Sequence, residues 1–128
     1  MTIKAYSKAK DGNTKLTQNF RVREFACTDG SDPIFIDTEL VEILQKIRNH
    51  FGKVTITSAY RTPTRNKAVG GTAYSQHLYG RAADIKVNGA TPKKVAAYAE
   101  TIMKSGGIGI YNSFVHVDVR ETKSRWNG

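Results

Sequence analysis

The stretch Phe114-Val115-His116-Val117-Asp118-Val119-Arg120 alternates without a break. Successive side chains of an extended strand point to opposite faces, so Val115, Val117 and Val119 share one face and Phe114, His116, Asp118 and Arg120 share the other. The valine face reads as core. The opposite face sets an imidazole, a carboxylate and a guanidinium in a row. Ala83-Asp84-Ile85-Lys86-Val87 repeats the pattern, with Asp84 and Lys86 opposite Ala83, Ile85 and Val87. A carboxylate in the middle of a strand is disfavoured by propensity, and a buried ion needs a partner. Asp84 and His116 are therefore expected side by side on the wet face of one sheet.

The segments around these strands read as helices and turns. Asp37 is an N-cap, followed by Glu39 and Glu42 where carboxylates suit the helix dipole, by Leu40, Leu44, Ile47 and Phe51 at helical spacing, and by Gly52 as the stop. Val54-Thr55-Ile56-Thr57 is a β-branched strand. Thr62-Pro63 opens a short helix that ends at Gly70-Gly71, and Thr91-Pro92 opens another that carries Val95, Ala96, Ala99, Ile102 and Met103 and closes at Gly106-Gly107. Ile108 to Tyr111 forms a strand linked tightly to 114–119 through Asn112-Ser113. The fold class is α+β: one small, mainly antiparallel sheet with helices packed on one face.

At 128 residues the chain suits a single domain. Residues 1–19 lack periodic apolar signal and read as an N-terminal arm or edge segment on a domain spanning 20–128. Cys27 is the only cysteine. It excludes an internal disulfide and a cysteine-built zinc site, and reads as structural. No apolar run approaches the roughly 20 residues that span a bilayer. The opening residues hold no apolar signal core, so the expectation is synthesis in the cytoplasm, with access to its target after release at lysis or by an export route the sequence does not display. The net charge of +9 implies an anionic partner. Nucleic acid is disfavoured, because there is no basic helix stripe, stacking sheet or finger spacing. No membrane partner is expected.

Three histidines are present. His50 falls in the last turn of the first long helix, where it can meet free carbonyls or the dipole. His77 lies on the loop leading into strand 83–87 and can fold back over it. Two imidazoles and one carboxylate are a common ligand set for catalytic zinc, whereas magnesium and calcium want more oxygen. Spacing alone leaves two readings open: a zinc set of His77, Asp84 and His116, or a buried His–Asp pair with an unrelated histidine.

The segment Ser75-Gln76-His77-Leu78-Tyr79-Gly80-Arg81-Ala82-Ala83-Asp84 resembles the signature S-x-H-x-x-G-x-A-x-D of the zinc D-alanyl-D-alanine carboxypeptidase family of metallopeptidases. The likeness continues at Ser58-Ala59-Tyr60-Arg61-Thr62-Pro63 with Asn66 and Gly70-Gly71, at Gly106 to Tyr111, and at Phe114 to Arg120. It covers roughly residues 20 to 126 and is most similar to the small peptidase domains of phage endolysins and bacterial wall enzymes. The resemblance implies the hedgehog/DD-peptidase fold and one Zn2+ held by His77, Asp84 and His116. It implies that Arg61 stabilises the substrate oxygen as it becomes negative, and that Ser75 and Gln76 line the substrate groove. It implies cleavage of D-amino-acid-containing stems or cross-links of peptidoglycan, by carboxypeptidase or endopeptidase action. Anionic wall polymers would then be the partner that the positive charge meets.

Many members of that family place an acid three positions before the last histidine ligand, where this chain has Ser113. Asp118 is the candidate base in its stead, with the alternative that it orients a ligand or Arg120 from behind. A non-catalytic, zinc-containing wall-binding module of the same fold is the competing reading. Trp126 is expected to pack into the core, with the groove wall as its alternative. Tyr60, Tyr74 and Tyr79 flank the motifs and either bind substrate or cover the site.

Overall fold

The computed structural model describes residues 2–128 and contains two sheets. The smaller sheet pairs β1 (Ile3–Ser7) antiparallel with β2 (Pro33–Asp37), so the opening segment is tied to the domain by a strand that its polar sequence does not announce. A single-turn helix α1 (Lys8–Asp11) follows β1, and backbone bonds from Leu16 to Phe20, Val22 to Thr14 and Arg23 to Gly12 fold the following residues back on themselves.

The long helix α2 (Thr38–Phe51) starts where Asp37 accepts a hydrogen bond from the Glu39 N–H at 2.9 Å, and it stops at Gly52. Strand β3 (Val54–Ser58), short helix α3 (Pro63–Ala68), strand β4 (Ala82–Val87), helix α4 (Pro92–Ile102), and strands β5 (Gly107–Ile110), β6 (Val115–Asp118) and β7 (Ser124–Asn127) complete the chain. Thr62 and Thr91 cap α3 and α4, each with proline at the first turn. The two helices end sooner than the glycine signals suggest, at Ala68 and Ile102.

The five-stranded sheet has the order β3-β4-β6-β5-β7 and is antiparallel except for β5 and β7, which run parallel. The α+β expectation holds. Strand β7 lies in what reads as a charged tail. A four-residue strand of serine, arginine, tryptophan and asparagine carries little strand signal of its own.

Register decides what shares a face. Ala83 faces Val117, and Val117 faces Ile108; Ile85 faces Val115, and Val115 faces Ile110. That face packs with Leu40, Leu44, Ile47, Val95, Ala96 and Ala99 of α2 and α4 into one core. Each Leu or Ile buried there contributes about 1.5–3 kcal/mol. His50, at the exposed end of α2, stacks on Tyr98 of α4 with ring centroids 3.9 Å apart, which fastens the two helices rather than serving any site. Cys27 is buried in the same core as a free thiol.

The opposite face carries two cross-strand rows. One is Ser58, Asp84, His116, Gly109 and Trp126, running through β3, β4, β6, β5 and β7. The next is Ala82, Asp118, Gly107 and Ser124. This face is not open to water as the alternation alone suggests: Asp84 and His116 are 7% and 8% exposed and Asp118 is fully buried.

Candidate metal centre

Residues far apart in the chain bring three ligand atoms together. Asp84 and His116 are direct cross-strand neighbours. His77 arrives from a 3-10 turn, Gln76–Tyr79, that folds over the sheet. Ser75 caps this turn by accepting the His77 N–H at 3.3 Å, and Gly80 closes it with φ +72°. A side chain at Gly80 would collide with the Phe35 carbonyl, so the turn can lie against β2 only with glycine there. The His77 carbonyl accepts the Arg61 N–H at 3.0 Å, and the Gly80 carbonyl accepts the Asp37 N–H at 2.9 Å.

The ring nitrogens are assigned by their partners. His77 Nδ1 lies 2.7 Å from the Ala59 carbonyl, which only accepts, so Nδ1 carries a proton and Nε2 remains to coordinate. Nε2 is 3.3 Å from Asp84 Oδ2. His116 Nε2 donates to Asp118 Oδ2 at 2.7 Å, and its Nδ1 faces Asp84 Oδ1 at 3.0 Å. Ligand atoms of His77, Asp84 and His116 all lie within 4.8 Å of one another, close enough to share a metal ion. Both imidazoles have their outer nitrogen anchored, an arrangement that metal-binding histidines require. The donor chemistry and its outer support fit zinc.

Ionisation agrees with this set. Burial pushes the Asp84 carboxyl up, but hydrogen bonds with His116 and His77 outweigh it and hold Asp84 below the ordinary aspartate range. Burial pushes His116 down, and its bonds to Asp118 and Asp84 more than reverse this. A bound cation would replace the proton that this contact holds in the metal-free protein.

Arg61 is aimed at the same point. Its Nη2 is 3.5 Å from Asp84 Oδ2, Nε donates to Ser58 Oγ at 3.2 Å, and Nη1 donates to Asn66 Oδ1 at 3.4 Å. Asn66 is buried and in turn donates to the Thr72 carbonyl at 2.8 Å. Asn66 appears in the sequence only as part of a motif. Its hold on Arg61 is a tertiary fact.

Asp118 lies behind His116. Its Oδ1 accepts from the Gly107 N–H at 2.9 Å, the Arg120 N–H at 3.1 Å and Arg120 Nε at 2.8 Å; Oδ2 accepts from His116 and from Arg120 Nη2 at 2.6 Å. Burial raises its pKa, but the bonds from His116 and Arg120 prevail and keep it ionised below the usual range. Both oxygens are occupied on the side of His116 away from Asp84, a poor place from which to take a proton at the ligand cluster. A Cβ at Gly107 would overlap this carboxylate, so the glycine on β5 makes its space. Ser113 is exposed and faces the crevice beside Asn88-Gly89, away from the cluster.

The cluster lines a cleft of about 590 Å³. Arg61, Thr72, Tyr74, Ser75 and Gln76 line it together with Arg120 and the aromatic rings of Tyr111, Phe114 and Trp126. Among the described lining residues Asp84 is the sole carboxylate, so the cleft suits electron-rich or anionic substrate groups. Tyr74 is 82% exposed at its edge; Tyr60 is buried against Phe35. Trp126 is half-buried and lines the cleft instead of entering the core.

No curated protein matches the chain. A family profile described as Peptidase M15 matches residues 15–118, a span that contains Arg61, His77, Asp84 and His116. With most of its length so matched, the chain belongs to the Peptidase M15 family, the zinc D-alanyl-D-alanine carboxypeptidase type of metallopeptidase that its motifs resemble.

Proposed function

We propose that this chain is a zinc-dependent hydrolase of the D-amino-acid-containing stems or cross-links of bacterial peptidoglycan. The observation that carries the proposal is the convergence of His77 Nε2, Asp84 and His116 Nδ1 beside Arg61 in an open cleft. Two imidazoles and one carboxylate leave a coordination position for water or substrate, as catalytic zinc requires. When bound, one Zn2+ supplies Lewis acidity at the scissile carbonyl and lowers the pKa of water toward 7.

The chain's own residues do the rest. Arg61 offers a guanidinium beside the ligand carboxylate, where the carbonyl oxygen gains negative charge, and Ser58 and Asn66 keep it pointed there. Asp118 acts through His116, fixing its tautomer and ring plane, rather than as the proton acceptor. Ser75 and Gln76 bind the peptide in the cleft, and the aromatic rings support its apolar groups. The charge of +9 holds the enzyme on anionic wall polymers, an endolysin-like use of a basic surface.

The test is incubation of the zinc-loaded protein with purified walls, followed by mass analysis of the muropeptides. Release of a single terminal residue marks a carboxypeptidase; loss of cross-linked species marks an endopeptidase. A chelator and His116→Ala should each abolish the release. Wall binding without any freed amine would falsify hydrolysis and favour the non-catalytic module. Adsorption that survives a high-salt wash would remove the role assigned to charge.

A further inference from the structure

The family match ends at Asp118, before β7 begins. Yet β7 contributes a residue to the ligand row. Trp126 stands two strands from His116, with Gly109 between them. A Cβ at Gly109 would overlap the indole, so the missing side chain is what lets the ring cross the strand. The indole centroid lies 5.1 Å from that of His116 at 49°, and the Arg120 guanidinium sits 5.3 Å from the indole. The indole N–H donates to Tyr111 Oη at 2.9 Å, and Tyr111 stacks on Phe114 at 4.4 Å.

The geometry points to Trp126 as a positioning residue for the metal ligand His116, which makes the C-terminal strand an integral part of the centre. This rests on the zinc reading above. The indole touches the imidazole directly and also braces Arg120, which grips Asp118, which holds His116 Nε2. An imidazole held from two directions loses little freedom on binding a cation, and its bond to Asp118 is screened from water. Removing such outer support commonly costs ten- to a hundredfold in metal affinity.

Trp126 is the only tryptophan, so the intact protein reports on the contact itself. Addition of Zn2+ to metal-free protein should change its emission with the same midpoint as binding seen by calorimetry, and Co2+ should quench it. Zinc affinity is then compared among variants by competition with a chromophoric chelator. Trp126→Ala should bind roughly tenfold more weakly. Trp126→Phe, which keeps a flat ring, should recover most of the loss. Gly109→Ala should weaken binding alone but add little to Trp126→Ala, because the overlap it creates needs the indole. Circular dichroism checks folding, and Trp126→Leu replaces the alanine variant if that one does not fold. Zinc uptake by the wild type with unchanged emission, or wild-type affinity in the Trp126 variants, overturns the inference while leaving the zinc reading intact. Failure of the wild type to take up zinc overturns both.

Discussion

Asp118 holds His116 through Nε2 at 2.7 Å while Asp84 faces Nδ1 of the same ring at 3.0 Å, so one imidazole is fixed between two carboxylates on adjacent strands. The two acids are chemically alike and do different work because of where the sheet puts them. Asp84 meets the cleft; Asp118 is enclosed by Gly107 and Arg120.

Asp118→Asn separates orientation from proton transfer. The amide keeps the shape but weakens the charge-assisted bonds to His116 and Arg120. We expect zinc affinity to fall ten- to a hundredfold, measured by chelator competition, together with hydrolysis. Full zinc affinity with lost hydrolysis would instead make Asp118 the base.

Arg61→Lys keeps a positive charge but not the planar fork that engages Ser58, Asn66 and Asp84 at once. The turnover number on purified muropeptide should drop on the order of a hundredfold, with zinc affinity close to wild type. An equal loss in both quantities would mean that Arg61 supports the metal set rather than the substrate oxygen.

Acid should destabilise the metal-free protein through surface carboxylates as well as buried ones. Asp29 is lowered by its bonds with Ser31 and Thr62, and Asp32 by its bonds with the Ala9 N–H and the Ser7 hydroxyl. Groups depressed in the fold contribute stability that is present above the unfolded value of about 3.9 and is lost as pH falls toward the folded value. Thermal midpoints taken from pH 5 downward should therefore decline, and Asp29→Asn with Asp32→Asn should flatten part of that decline. An undiminished slope in the double variant would contradict the assignment.

Gly80→Ala tests the turn that delivers His77. The left-handed backbone costs an alanine about 1–2 kcal/mol, and its methyl would also collide with the Phe35 carbonyl. The thermal midpoint should fall and zinc affinity with it, because the displaced turn carries His77, a proposed ligand. A variant with unchanged midpoint and affinity would show that His77 does not depend on this packing.

Alternation alone put Asp84 and His116 on one sheet face and the valines on the other, and Asp37, Thr62 and Thr91 announced their helices. These signals are local: strand period, capping chemistry and proline geometry act within a few residues. The motif around His77 supplied the third candidate ligand by resemblance. Tertiary structure decided the rest: which nitrogen of each histidine faces Asp84, that Asp118 stands behind the His116 ring, that β1 joins β2, and that β7 runs parallel to β5 and sends Trp126 over Gly109 to His116. Each of those depends on a partner distant in the chain, and a hydrogen-bonding group or an aromatic face has no preferred partner until the packed core brings one within reach.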